Sequence, residues 1–306
     1  MDTKQIEYIL KIAEENNITK AAEKLFITQS ALNQQLLKLE KELGTPLFHR
    51  SRTNWRLTEA GEIYIEGAKA ALQIKNTTYN RIYDVVSARK GHLTIGLTPG
   101  RGLRMFTAIY PELHRSFPNL DVRPIEMRVR AQQDAIAKGD IDVGLMTLTQ
   151  KDQTSDTYYP LKQEELVLII PSGHPLAEKA APSGEPLATL DLTELRYEPF
   201  VLMDKTSTLR SSCDLLFEKA GFVPNILFET NNTSGIAAMV QSTLCCGIIP
   251  RYYTLGLTEG VACFSLPERP SWEIVISCQK NGYLNSGARE FIRLAREYWE
   301  NSAPLF

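Results

Sequence analysis

Along the first 57 residues apolar positions recur at helical spacing. Ile6, Ile9, Leu10 and Ala13 follow the i, i+3, i+4, i+7 rule and predict one helix face, which Asn16 and Asn17 end. Thr19 is the expected cap of a short second helix reaching Phe26, with Ala21, Ala22 and Leu25 inward. Thr28 is the expected cap of a third helix. Its inward stripe is Leu32, Leu36, Leu39 and Leu43, and Gly44 with Pro46 closes it. One long helix is expected over 58–88, with Ile65, Ala68, Leu72, Tyr79, Ile82 and Val86 on a heptad-like stripe. A solitary helix of that length is marginal in water, so it needs a partner surface: its own domain, or a second copy of the chain.

From His92 the period changes. Strand-like runs at 92–98, 121–127 and 141–146 alternate with helical patterns at 101–116 and 130–138. A second set follows, with strands at 165–171, 199–203, 225–229 and 245–249 and helices at 207–220 and 233–243. A strand at 272–278 and a helix at 286–299 close the chain. This is βαβ order and predicts a largely parallel sheet with helices on its faces. Two such units joined by two crossings predict a cleft, and sheets of this kind bind ligands at strand C-terminal ends. The expected fold class is α/β with an N-terminal all-α helix-turn-helix. The expected domains are 1–57, a connecting helix 58–90, and 91–306, the last split into lobe I (91–161 and 267–306) and lobe II (162–266).

A length of 306 residues fits about two domains, and 43% hydrophobic with 23% charged residues is ordinary for a folded globular chain. No stretch approaches 18 apolar residues, and the N-terminus lacks the basic-then-apolar order of a signal peptide. The five cysteines (213, 245, 246, 263, 278) have no CxxC spacing and read as free thiols in a reducing compartment. A cytoplasmic protein away from membranes is expected. The net charge of −2 excludes a chain that is basic throughout, but not a local basic patch. Such a patch exists. Residues 45–58 hold three arginines (50, 52, 56), one histidine and no acid.

The patch directly follows the third helix. Packed by its leucines, that helix offers solvent a face beginning Gln29, Ser30, Asn33 and Gln34, with Lys38 one turn on. Gln and Asn pair bidentately with adenine and Ser reaches either base type. Free N–H groups at the Thr28 end suit a phosphate. Recognition helices read bases with their first turns, and a basic wing at Arg50 and Arg52 would touch the DNA backbone. The alternative on pattern alone is a helical protein-interaction module.

Here the residues carry a resemblance. Ala21-Ala22-x-x-Leu25-x-x-Thr28-Gln29-Ser30-Ala31-Leu32, then Leu39-Glu40-x-x-Leu43-Gly44-x-x-Leu47-Phe48-x-Arg50, then Leu57-Thr58-x-Ala60-Gly61, resembles the winged helix-turn-helix of LysR-type transcriptional regulators. The likeness continues through Gly139-Asp140-Ile141-Asp142, His174-Pro175-Leu176, Phe217-x-x-x-Gly221-Phe222-x-Pro224 and Gly247-Ile248-Ile249-Pro250. Where the family often carries Ser and Arg, this chain has Asn33 and Gln34. The resemblance implies a two-lobed effector domain similar to periplasmic solute-binding proteins. It also implies double-stranded DNA with a pseudo-palindromic operator as partner, a homodimer or homotetramer, and RNA polymerase as a further partner. No cofactor, metal site or catalytic residue is expected.

In the predicted cleft, Thr98-Pro99-Gly100-Arg101 and Thr206-Ser207-Thr208 stand at strand-to-helix junctions, and Asn231 precedes a third helix. Arg128 and Thr147 lie near strand ends. Three polar helix starts with nearby arginines suggest a small carboxylate or other anion, although Ser and Thr also serve simply as caps. Gly100-x-Gly102 lacks a third glycine, Met105 standing there, so a nicotinamide enzyme is disfavoured. No HExxH, GxSxG or P-loop is present, and the four histidines (49, 92, 114, 174) lack metal-ligand spacing. Two alternatives stay open: a ligand-sensing or solute-binding protein with a helical interaction module, and a thiol-based redox sensor using Cys213 with Cys245 or Cys246.

Overall fold

The computed structural model describes residues 2–51, 55–86, 89–182, 184–255, 257 and 259–301. They form two compact units, 1–92 with 138–140, and 93–137 with 141–306.

In the first unit, Asp2 caps α1 (Thr3–Glu15), which buries Ile6, Ile9 and Ile12 and ends on Asn16 in the left-handed region. Asn17, not Thr19, caps α2 (Ile18–Lys24). Its Oδ1 accepts from the Thr19 and Lys20 amides at 2.9 and 3.1 Å. The reason is local: Asn16 reverses the chain, so Asn17 is the extended residue directly before the helix, where a cap must sit. Thr28 caps α3 (Gln29–Leu43) by accepting from Ala31, and Gly44 closes it at φ +72°. The core face of α3 is Leu32, Leu36 and Leu39. Leu43 is 45% exposed, against the periodicity; Leu47 and Phe48, beyond the turn, complete that core instead. Two-residue strands β1 (Phe48–His49) and β2 (Arg56–Leu57) pair antiparallel as a small wing.

Thr58 caps α4 (Glu59–Val85), slightly shorter than expected. Its first turns bury Tyr64 and Ala68 in the same core, with Ile65 and Leu72 packed against it. Further along, Ile74, Tyr79, Ile82 and Val85 stand exposed within the chain. Near its end the buried Asn80 side chain exchanges two 3.1 Å hydrogen bonds with the His92 backbone, as a peptide group would.

The second unit holds two main cores. The first lies around β3 (Lys90–Leu97), β5 (Val143–Leu148) and β11 (Ser271–Cys278), covered by α5 (Arg101–Ser116) and α9 (Ser286–Asn301); β4 (Asn119–Glu126) is the sheet edge and α6 (Val129–Lys138) follows it. The second gathers β7 (Pro199–Met203), β9 (Gly247–Pro250), β10 (Val261–Ser265) and α7 (Thr208–Ala220); β8 (Asn225–Thr230) pairs with β7, and α8 (Thr233–Gln241) packs on an adjoining apolar cluster. The strand β6 (Thr157–Pro171) runs through both, pairing with β11 over its first half and with β9 and β10 over its second.

The expectation of a largely parallel sheet is corrected. β3–β5 and β7–β8 are parallel, but β6 is antiparallel to β9, β10 and β11, and β11 is antiparallel to β5. A chain that crosses between lobes and later returns must run the two crossings in opposite directions. The first half of β6 escaped the sequence reading because residues 157–164 are mostly half-buried and polar, without an apolar run. Strand β10 is a further element outside the expected set.

Candidate nucleic-acid interface and ligand cleft

The outward face of α3 presents Gln29, Ser30, Gln34 and Lys38 to solvent, with Asn33 half-buried. Thr28 is exposed, but its hydroxyl accepts from the Ala31 amide and lies 3.1 Å from Ser30 Oγ. Capping therefore fixes where the first turn of α3 points. Behind it, Glu40 is buried at 8% exposure. It accepts from the Leu47 amide at 2.8 Å and from the Arg50 guanidinium, which also lies 5.6 Å from the Trp55 ring. Arg50 is thus not a free cation: a buried carboxylate and an indole hold it at the start of the wing, 37% exposed. Arg56 is exposed on β2. Arg52 lies outside the described residues.

In the second unit a cavity of about 730 Å³ opens between the two cores. All ten predicted ligand-contacting residues line it: Thr98, Pro99, Gly100, Arg101, Arg128, Thr147, Thr206, Ser207, Thr208 and Asn231. Their placement follows from topology. The starts of α5, α7 and α8 and the ends of β5 and β7 converge there, as expected at strand C-terminal ends.

Many of these polar groups already have partners. Ser207 Oγ caps α7 by accepting from Leu209, and Thr208 Oγ1 donates to the Thr147 carbonyl at 2.9 Å, joining the two lobes. Arg128 pairs with Asp204 at 2.7 Å and donates to the Thr206 hydroxyl, a second tie between lobes. Burial pushes the Asp204 carboxyl up, but hydrogen bonds from Thr206 and Arg128, with the Arg128 charge, outweigh it and hold the group below the ordinary carboxylate range.

Arg101 differs most from expectation. It lines the cavity yet is only 5% exposed, and its guanidinium is bound to Glu164, which is fully buried on β6. Four rings surround it at 5.5 to 5.9 Å: Tyr252, Tyr253, Trp272 and Trp299. Glu164 also accepts from the Tyr252 amide at 3.0 Å and from Trp272 Nε1 at 2.8 Å. A buried ion pair with every oxygen answered is a rigid fixture. Sequence reasoning missed the wall this creates, Tyr252, Tyr253 and Trp272, together with Met203, Asp204 and Arg104. One signal was available: Tyr252 and Tyr253 follow the end of β9 within three residues. Burial raises the Tyr253 hydroxyl above its ordinary pKa, so it stands neutral.

The thiolate form of all five cysteines is disfavoured by burial. Burial pushes Cys213 and Cys246 up to about 12 and Cys263 up to about 11, and it raises Cys245 and Cys278 as well. All five are free. Among the described residues no cluster of three potential metal ligands occurs, and no helix is long and apolar enough to cross a membrane.

Comparison with known proteins matches both units. Residues 3–62 match the family described as bacterial regulatory helix-turn-helix protein, lysR family, and residues 87–300 match the LysR substrate binding domain. The chain is 29% identical over 309 residues to the uncharacterized HTH-type transcriptional regulator YcgK of Bacillus subtilis, covering 97% of this chain and 94% of that one. Among solved structures, a full-length OxyR variant from Pseudomonas aeruginosa superposes with a TM-score of 0.68 at 21% identity, covering 99% of this chain and 96% of that one. Full-length CbnR, complexed with its target DNA, gives 0.67 at 20% identity, covering 97% and 100%.

Proposed function

Because the chain belongs to the LysR family of DNA-binding transcriptional regulators, we propose that α3 reads its operator and that a small anionic metabolite in the cleft modulates that binding. Gln29, Ser30, Asn33 and Gln34 contact base edges. Thr28, Lys38, Arg50 and Arg52 contact phosphates. The observation that carries this reading is the polar, solvent-facing first turns of α3, held by the Thr28 cap beside an Arg50 that Glu40 has already oriented. The wing and α3 supply backbone and base contacts from one rigid core.

The exposed stripe on α4 is the surface for a second copy of the chain, and two such dimers make a tetramer on a pseudo-palindromic operator. Half-sites then lie about 10 bp apart or a multiple of it. Ligand in the cleft shifts the arrangement of protomers, a coupling of about 1–3 kcal/mol. RNA polymerase is the downstream partner, and the protein acts in the cytoplasm. It performs no catalysis. The cleft binds rather than transforms: its polar groups serve as caps and interlobe ties. The five raised thiols disfavour redox sensing, because the thiolate is the reactive form.

Footprinting on the DNA upstream of the gene tests the reading role. Gln29→Ala should cost about 1–3 kcal/mol at the contacted base and relax preference there. An unchanged footprint and unchanged preference would remove Gln29 from the interface.

A further inference from the structure

The cleft contains three guanidinium groups, and two are already answered. Arg101 is bound to Glu164, and Glu164 cannot turn away without abandoning the Tyr252 amide and Trp272 Nε1. Arg128 is bound to Asp204 and Thr206. The third, Arg104, is exposed and stacks on Tyr252 at 6.0 Å; among the described residues no ion pair to it is seen. Three arginines against two carboxylates leave one uncompensated positive charge. The uncharged part of the lining has two characters: Thr, Ser and Asn side chains at the helix starts, and an apolar and aromatic stretch of Tyr252, Tyr253, Trp272, Met203, Leu209 and Leu255. The volume of about 730 Å³ accommodates a ring-sized molecule with room to spare.

We propose that the cleft takes a small molecule with a flat apolar body and a single negative charge, and that Glu164 and Asp204 set this charge limit. The body lies along Tyr252, Tyr253 and Trp272, and the charge faces Arg104. Among the described residues that line the cleft, a second carboxylate on the ligand meets no further free cation. To gain one it must pull Arg128 from Asp204, leaving that carboxylate, one of whose oxygens is already buried without a partner, short of its counter-charge. The three nearby arginines alone would have suggested the opposite preference, for a polyanion. This inference rests on the effector reading above and narrows its ligand class.

The test uses the full-length protein and four probes. Benzoate and 2-naphthoate carry one carboxylate on a flat body. Phthalate carries two on one ring, and succinate carries two without a ring. Affinities come from calorimetry, and operator binding is measured alongside by gel shift. The monoacids should bind, with phthalate at least about tenfold weaker than benzoate, the worth of one charge-assisted hydrogen bond. Asp204→Asn releases Arg128 at constant shape and should narrow or reverse the benzoate-to-phthalate ratio. Phthalate or succinate binding as tightly as the monoacids overturns the proposal. So does an unaltered ratio in Asp204→Asn, or failure of both monoacids to bind. A monoacid that binds in the expected order but leaves operator affinity unchanged defeats the regulatory reading and leaves this one standing. Diacids that bind best and do move operator affinity defeat this one alone.

Discussion

Gly61 on α4 sets the junction between the long helix and the wing. A Cβ built there lies 2.1 Å from the Leu47 carbonyl oxygen, 3.1 Å from its carbon and 3.0 Å from Leu57 Cδ2. The carbonyl cannot swing aside freely, because it accepts the Thr58 amide at 3.0 Å. Ordinary carbon-to-oxygen contacts begin near ~3.3 Å, so Gly61→Ala demands a backbone shift of about 1 Å. Such overpacking costs about 1–3 kcal/mol. Against this, alanine gains up to ~1 kcal/mol over glycine inside a helix. The net expectation is a loss of about 1–2 kcal/mol. Gly67 lies on the same helix with nothing within 4 Å of its Cβ position, so Gly67→Ala keeps only the gain. The two variants should therefore differ by about 2–3 kcal/mol although their chemistry is the same. Hydrogen exchange of the full-length protein measures this locally. Amides of α1 and α3 should exchange at least about tenfold faster in Gly61→Ala than in Gly67→Ala, since ~1.4 kcal/mol is tenfold in an opening equilibrium. If Gly61→Ala exchanges no faster than Gly67→Ala, the close approach of α4 to the wing is not a constraint.

Arg50→Ala should weaken binding to all DNA sequences and flatten the salt dependence by about one unit of slope. It should also lower stability by about 1 kcal/mol, because Glu40 stays buried without its cation. Adding Glu40→Gln should restore much of that stability and none of the DNA affinity, which separates the two effects in one gel-shift and unfolding series. The cysteines give a third check. At pH 8 in the folded protein they should resist alkylation, and denaturant should expose all five; a fast-reacting thiol in the folded state would revive redox sensing. With folded pKa values raised to about 12 for Cys213 and Cys246, their contribution to stability is fully present below ~8.5, the unfolded thiol value, and is lost as pH climbs from there toward 12. Urea midpoints measured between pH 7 and 10 should fall at the alkaline end.

Much of this protein was legible without coordinates where physics is local. The cap at Thr28 rests on a side chain reaching an amide three residues away. The apolar stripes of α1 and α3 rest on the 3.6-residue period, and the ten cleft residues were found because strand ends and helix starts occur at predictable places along a βαβ chain. What failed was decided at a distance. The exposure of Leu43 depended on Leu47 and Phe48 arriving from beyond the turn to fill the core. The first half of β6 was invisible because hydrogen bonds from β11, not its own apolar content, make it a strand. Above all, the sequence counts Arg101, Arg104 and Arg128 as three positive charges near one loop cluster. Only the tertiary structure brings Glu164 to Arg101 across 63 residues and Asp204 to Arg128 across 76. Charge is a property of a residue, whereas its neutralisation is a property of a contact, and contacts between distant segments exist only once the chain is folded.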